Sequence, residues 1–340
     1  MSRDTYQELT PKQQLELLDE VSRRRGLAPA ILEKDYWVCR TLDALFALPE
    51  LGPHLVFKGG TSLSKVYGLI DRFSEDIDVS FHREFLGFGD EENDPESASS
   101  NKDQRRRLEA LQAACAERIR EELLPTLNDR LADELGQPGR WSVEIDTSDP
   151  QTVLFHYPQA GTAGPDYIRP AVRIEMGARS DHWPREQHQI RSYVGEEVDQ
   201  PIGIATAQVL AAERTFWEKA TLLHAECHRD PEKPMPARYA RHYHDLARMA
   251  ASPVVEDALA DSDLRKRVVA HKTIYFRSGW ARYDLAHPGS FRLVPDDERL
   301  VELERDHEAM MEMFFTEPPA LEGVLSVLRE LERRINSLGA

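Results

Sequence analysis

Between residues 57 and 80 the chain reads FKGGTSLSKVYGLIDRFSEDIDVS, and no other stretch restricts its architecture as much. A short apolar strand, His54 to Phe57, runs into Gly59 and Gly60. Adjacent glycines turn a chain sharply, and Thr61 to Gly68 then has the spacing of a short helix. Ile77, Val79 and Phe81 alternate with Asp76, Asp78 and Ser80, the period of a strand with one polar face. Asp76 and Asp78 therefore project their carboxylates from the same side. Like charges held that close repel unless a cation lies between them. Oxygen-only ligands suit Mg²⁺ or Mn²⁺, which also bind nucleotide phosphates. The glycine turn offers backbone N–H groups at a helix start, a natural anion site. A pair of aspartates or a pair of glycines alone says little. In this order they are the equipment of nucleotidyl transfer.

The rest of the chain frames that unit. Thr10 and Pro11 read as the N-cap and first residue of a helix that Gly26 ends. Pro29 to Leu48 keeps helical spacing through Ile31, Leu32, Tyr36, Cys39, Leu42 and Leu45. Residues 84 to 104 are acidic and rich in Gly, Ser and Asn, the composition of a mobile surface loop. A long charged helix follows to about Leu135, interrupted or restarted at Pro125. Strands are expected at Trp141 to Ile145, Thr152 to His156 and Pro170 to Met176. From Thr206 onward the pattern reads as helical, near 206–228, 236–250, 261–276, 297–315 and 319–337. The expected fold is α/β (α+β): a mixed sheet flanked by helices over residues 1–200, then a mainly helical domain over 201–340.

Composition limits the partners. The 340 residues hold 43 Lys and Arg against 60 Asp and Glu, a net charge of −17. That balance gives no general coat for nucleic acid, which Lys and Arg would have to contact. Three basic clusters, Arg23 to Arg25, Arg105 to Arg107 and Arg265 to Arg267, read as solvated helix ends, a local basic groove being the alternative. Cys39, Cys115 and Cys227 are few and scattered, as in a reducing cytoplasm. No leader and no apolar run long enough for a bilayer is apparent, so no membrane partner is expected.

The stretch resembles the AbiEii/AbiGii toxin family of nucleotidyltransferases, within the DNA polymerase beta superfamily. The family pattern KGGTxLxK followed by RFSxDID is matched by Lys58 to Thr61, Leu63, Lys65 and Arg72 to Asp78. EKDYWVCRTLDALF, VRIEMGARSD, WEKATLLHA and RYARHYHDL resemble further family segments, so the likeness covers most of the chain. It implies a bacterial toxin that transfers a nucleotide from an NTP to an acceptor, in some relatives the tRNA 3′ end, and that a cognate antitoxin restrains.

Carried over residue by residue, Asp76 and Asp78 would bind the metal ions. Lys58, Gly59, Gly60 and Thr61 would hold phosphate oxygens, and Ser74 would add a hydroxyl contact. Glu175 is the candidate third carboxylate, a metal ligand and proton acceptor; an ion pair with Arg173 on the same strand face is its alternative. Lys219 would neutralise charge developing on the triphosphate. Arg238, Arg241 and Asp245 are spaced to share a helical face, with the arginines aimed at phosphates and Asp245 orienting Lys219 or an arginine. Where the family often has RDxxDL this chain has RHYHDL, so His242 stands in place of the first aspartate. His224 and His228 have a zinc-compatible spacing but read as a polar helix end. Trp37, Trp280 and Phe276 read as core packing rather than base stacking. Two other functions remain open: a small-molecule nucleotidyltransferase of the aminoglycoside-modifying kind, favoured by acidic charge, and a non-catalytic regulatory relative, disfavoured by the intact charged set.

Overall fold

A computed structural model describes residues 5–74, 76–161, 169–315 and 318–338. The chain divides into two compact units, one built from Met1–Val66 and Ser74–Leu210, the other from Tyr67–Phe73 and Ala211–Ala340. The division thus falls ten residues later than the boundary read from the sequence, and a short internal segment belongs with the second unit.

The first unit is a mixed α/β body. A short α1 (Thr5–Glu8) precedes α2 (Pro11–Arg25), which Thr10 caps by accepting the Gln13 N–H, and which ends at Gly26 with φ +72°. Helix α3 (Pro29–Phe46) is buried along most of its length. It packs on the sheet, so its charged groups need internal partners. Glu33 accepts the Ala160 N–H at 2.6 Å, Lys34 donates to the Arg169 carbonyl at 3.0 Å and Arg40 donates to Glu134 at 2.6 Å. Strand β1 (Leu55–Lys58) leads into α4 (Gly59–Lys65), and β2 (Ile77–Phe81) follows. Helices α5 (Asn101–Arg118) and α6 (Leu124–Leu135) are joined by a π-helical turn at Ile119–Leu123, the irregularity that Pro125 marks in the sequence. Then come β3 (Ser142–Ile145), β4 (Thr152–His156), β5 (Ala171–Gly177), β6 (Arg185–Arg191), α7 (Tyr193–Val198) and β7 (Ile204–Leu210).

The sheet order is β3-β4-β5-β2-β1-β7-β6. Pairs β1–β7 and β2–β5 are parallel and the rest antiparallel, so the sheet is mixed and β1 and β2 lie inside it. Two strands depart from the sequence reading. β7 occupies residues expected to open a helix, and β6, REQHQIR, carries almost no apolar residue because it is an edge strand exposed along most of its length.

The second unit is helical: α8 (Ala212–Glu226), α9 (Ala240–Ala250), α10 (Val254–Ala260), α11 (Ser262–Tyr275), α12 (Asp297–Ala309) and α13 (Leu321–Ser337). α9, α10 and α11 pack against α8, and α13 packs against α9. Trp217, fully buried on α8, donates its indole N–H to the Ala258 carbonyl at 2.9 Å. Segment 67–73 enters this unit through backbone bonds: Phe73 N–H donates to Met313 O at 2.7 Å and Phe315 N–H to Asp71 O at 3.1 Å.

Candidate active site

In the first unit, Lys58 faces Asp78 across the antiparallel β1–β2 pair, and its ammonium stands 3.8 Å from Asp78 Oδ1. Gly59 follows with φ +80°, a conformation natural to glycine and strained for other residues. A Cβ on Gly59 would sit 2.0 Å from Asp78 Oδ2 and 2.6 Å from its Cγ. The glycine turn and the aspartate are therefore one object, since the carboxylate rests where any other residue would place its side chain. In Gly59→Ala the left-handed backbone alone costs about 1–2 kcal/mol, and the added methyl displaces Asp78. The expected result is a folded protein with a lower melting temperature that Mn²⁺ no longer raises, read by thermal melts with and without the ion.

Thr61 is buried, and its hydroxyl donates to the Asp76 carbonyl at 2.5 Å while lying 2.9 Å from Ser74 Oγ. Its hydroxyl is thus engaged in fastening the approach to β2 to α4. That differs from the phosphate contact read from the sequence, and Ser74 shares the engagement. Lys65, at the other end of α4, reaches Asp35 on α3 at 2.8 Å and stands 3.6 Å above the Tyr193 ring. Asp35 also accepts the Tyr193 N–H at 2.6 Å. The short helix is therefore pinned at both ends.

Glu175 lies opposite Asp78 in the parallel β2–β5 register, but its carboxylate accepts from Arg173 at 2.9 Å, and Arg173 also pairs with Asp146. The ion-pair alternative is what the structure contains. Among the described residues no three-membered group of His, Cys, Asp and Glu forms a metal cage, so Asp76, Asp78 and Glu175 are not brought together as one. A Mg²⁺ site needs no such cage, because the ion keeps several waters and takes one or two carboxylates plus substrate phosphates.

In the second unit, Asp245 is completely buried on α9 and holds two cations. Arg72 grips it with both arms, Nε to Oδ1 and Nη2 to Oδ2 at 2.8 Å each, and Lys219 Nζ donates to Oδ2 at 2.8 Å. Burial by itself raises the Asp245 carboxyl, but Arg72 and Lys219 overcome it and hold the group well below the ordinary carboxylate range. For Lys219 burial dominates and lowers the ammonium, with Asp245 opposing and Arg72 adding to the fall. Two cations face one carboxylate, which keeps Asp245 ionised. His242 Nδ1 lies 3.4 Å from Lys219 Nζ. Buried His244 sits between two carboxylates, 3.6 Å from Asp71 and 3.8 Å from Asp245.

Asp245 thus orients both a lysine and an arginine, and the arginine is Arg72, which sequence reasoning treated only as a motif letter. Arg238 does not share the helical face: it precedes α9 with φ +62°, and its N–H is capped by Asp306. Arg241, one turn before Asp245, is half-buried on α9. His224 spends both ring nitrogens on backbone, Nε2 toward Arg282 O at 3.0 Å and Nδ1 accepting from Arg292 N–H at 3.1 Å, which fits a polar helix end. Trp37 is core, whereas Trp280 is 37% exposed, contrary to the core reading.

The sequence model of the family described as "Nucleotidyl transferase AbiEii toxin, Type IV TA system" matches residues 40–330. No curated protein matches the sequence significantly. Among solved structures, MenT4, a nucleotidyltransferase toxin from Mycobacterium tuberculosis H37Rv, is similar at 18% identity over 94% of this chain and 98% of that one, with a TM-score of 0.46. The protein is a nucleotidyltransferase. It belongs to the AbiEii toxin family, the toxin component of type IV toxin–antitoxin systems, which implies an NTP substrate and an antitoxin partner. No helix among the described residues is long and apolar enough to cross a membrane.

Proposed function

We propose that the enzyme transfers a nucleotide from an NTP to the tRNA 3′ end in the cytoplasm, using Mg²⁺ or Mn²⁺, and thereby blocks translation and growth. The observation that carries this reading is the Asp78 carboxylate seated against Gly59, which couples the glycine turn to an aspartate of β2. Asp76 and Asp78 would hold the metal, which when bound screens the triphosphate charge and favours its cleavage. The Gly59 and Gly60 N–H groups and Lys58 then hold phosphate oxygens. Thr61 and Ser74 keep the approach to β2 in place. Lys219, aimed by Asp245, neutralises charge as pyrophosphate leaves, and Arg241 adds to that field. Glu175, engaged by Arg173, adds negative charge beside Asp78.

Two measurements test this. Incubation with each radiolabelled NTP, Mg²⁺ and total tRNA should label the tRNA pool from one NTP; label that never enters RNA removes the tRNA assignment. In thermal melts, Mn²⁺ with that NTP should raise the wild-type melting temperature by mass action. Asp78→Asn should fold in EDTA and respond weakly, whereas an equal response from both proteins would remove the carboxylate pair as the metal site.

A further inference from the structure

Of the three basic clusters, two are neutralised where they stand. Arg25 reaches Glu196 at 2.8 Å and Glu197 at 3.5 Å, and Arg106 and Arg107 pair with Asp103 at 2.6 and 2.9 Å. Arg265 differs. The residue is only 8% exposed, yet among the described residues its guanidinium has neither a hydrogen bond nor an ion pair. Burial lowers its guanidinium, and no neighbouring charge offsets the effect. A guanidinium offers five donors in a rigid fork matched to phosphate, and at Arg265 no acceptor among the described residues takes any of them, while its nitrogens are not sealed from solvent and so stay open to an incoming anion.

Its surroundings say which anion. Arg265, Val269 and Lys272 recur at i, i+4 and i+7 on one face of α11, and Phe276 caps its C-terminal end. Lys272 Nζ stands 4.2 Å from the Phe276 ring centroid. Four residues further on is the exposed Trp280, with the Arg229 guanidinium 5.2 Å over its ring. From Asp261 to Arg282 the chain carries six basic and two acidic residues, against a net charge of −17 overall. Cations interleaved with aromatic rings suit a strand of RNA, whose phosphates take the cations and whose bases stack on the rings. An acidic peptide would use the charges but not the rings. α11 packs on α8, the helix that carries Lys219.

We propose that the Arg265–Lys272 face of α11, with Phe276 at its end and Trp280 beyond, binds the acceptor RNA, and that Arg265 grips one of its backbone phosphates. This rests on the RNA-acceptor reading above, but its test needs no turnover. Fluorescently labelled total tRNA is titrated with the full chain by anisotropy at several salt concentrations, without NTP, for wild type, Arg265→Met, Arg265→Lys and Trp280→Ala. Arg265→Met keeps the packed stem and removes the fork. It should bind tRNA ~10-fold more weakly, the loss of one charge-assisted contact, and the slope of log affinity against log salt should fall by about 1. Arg265→Lys should recover part of the loss, and Trp280→Ala should weaken binding without changing the slope. Poly-glutamate and the NTPs serve as separate arms. Wild-type tRNA affinity and slope in a folded Arg265→Met overturn the proposal. So does an equal loss toward poly-glutamate, which marks a generic polyanion patch, or a loss confined to NTP, which assigns the arginine to the triphosphate. Loss of tRNA binding in Arg265→Met alongside wild-type protein that labels no tRNA would leave this face supported and sink only the transfer reading.

Discussion

Asp245→Ala should lose about 3–5 kcal/mol of folding stability, the typical cost of removing one partner from a buried ion pair. The substitution strands two cations, Arg72 and Lys219, around a position with no access to water. The effect also has a pH signature. Because the folded carboxyl is held below its ordinary value, its contribution is fully present above about pH 4, the unfolded carboxyl value. It is lost as the pH falls from there toward the folded value. The difference in melting temperature between wild type and Asp245→Ala should therefore be constant from pH 7 to 5 and shrink below pH 4. A difference that ignores acid would mean that Asp245 stabilises through packing rather than charge.

Lys219→Met should behave in the opposite way. Asp245 keeps both bonds to Arg72, so the carboxylate stays paired and the fold is largely retained. Turnover should fall by a factor of ~10²–10³, or about 2.7–4 kcal/mol, as for other single groups that stabilise developing charge. Steady-state transfer of labelled nucleotide measures this, and expression in bacteria should show growth restored. A folded Lys219→Met with wild-type turnover would reduce Lys219 to a counter-ion for Asp245. The two variants together separate the role of the cluster in holding the fold from its role in the reaction.

Much of this cluster was hidden in the sequence for a physical reason. The spacing of Asp245 and Arg241 on one helix face is local, and local periodicity is what a sequence displays. The pairing of Arg72 with Asp245 spans 173 residues and depends on segment 67–73 joining the helical unit, for which no periodicity exists. The core of the first unit was legible where strands alternate or caps are strong: the Thr10 cap, α3, the glycine turn and the Ile77–Phe81 strand, which begins one residue after Asp76. β7 was not, because IATAQVL followed by AAERTFWEK runs together as one helix-compatible stretch. Its strand character comes from pairing with β1 and β6, which overrides propensity. β6 carried no hydrophobic signal because an edge strand needs little. Glu175 was placed correctly beside Asp78, yet the engagement of its carboxylate by Arg173 depends on side-chain reach that strand register alone does not fix.

The long separation between Arg72 and Asp245 also sets a schedule for synthesis. A ribosome adding about 5–20 residues per second takes roughly 9–35 s to pass from one to the other. Throughout that interval the nascent chain holds an arginine whose carboxylate does not yet exist. A translation product that stops before residue 245 lacks the centre of the charge cluster, and a separately made 211–340 fragment lacks Arg72. The toxin's cation cluster is therefore assembled only once synthesis has passed residue 245, and it needs Arg72 and the 219–245 segment in the same chain.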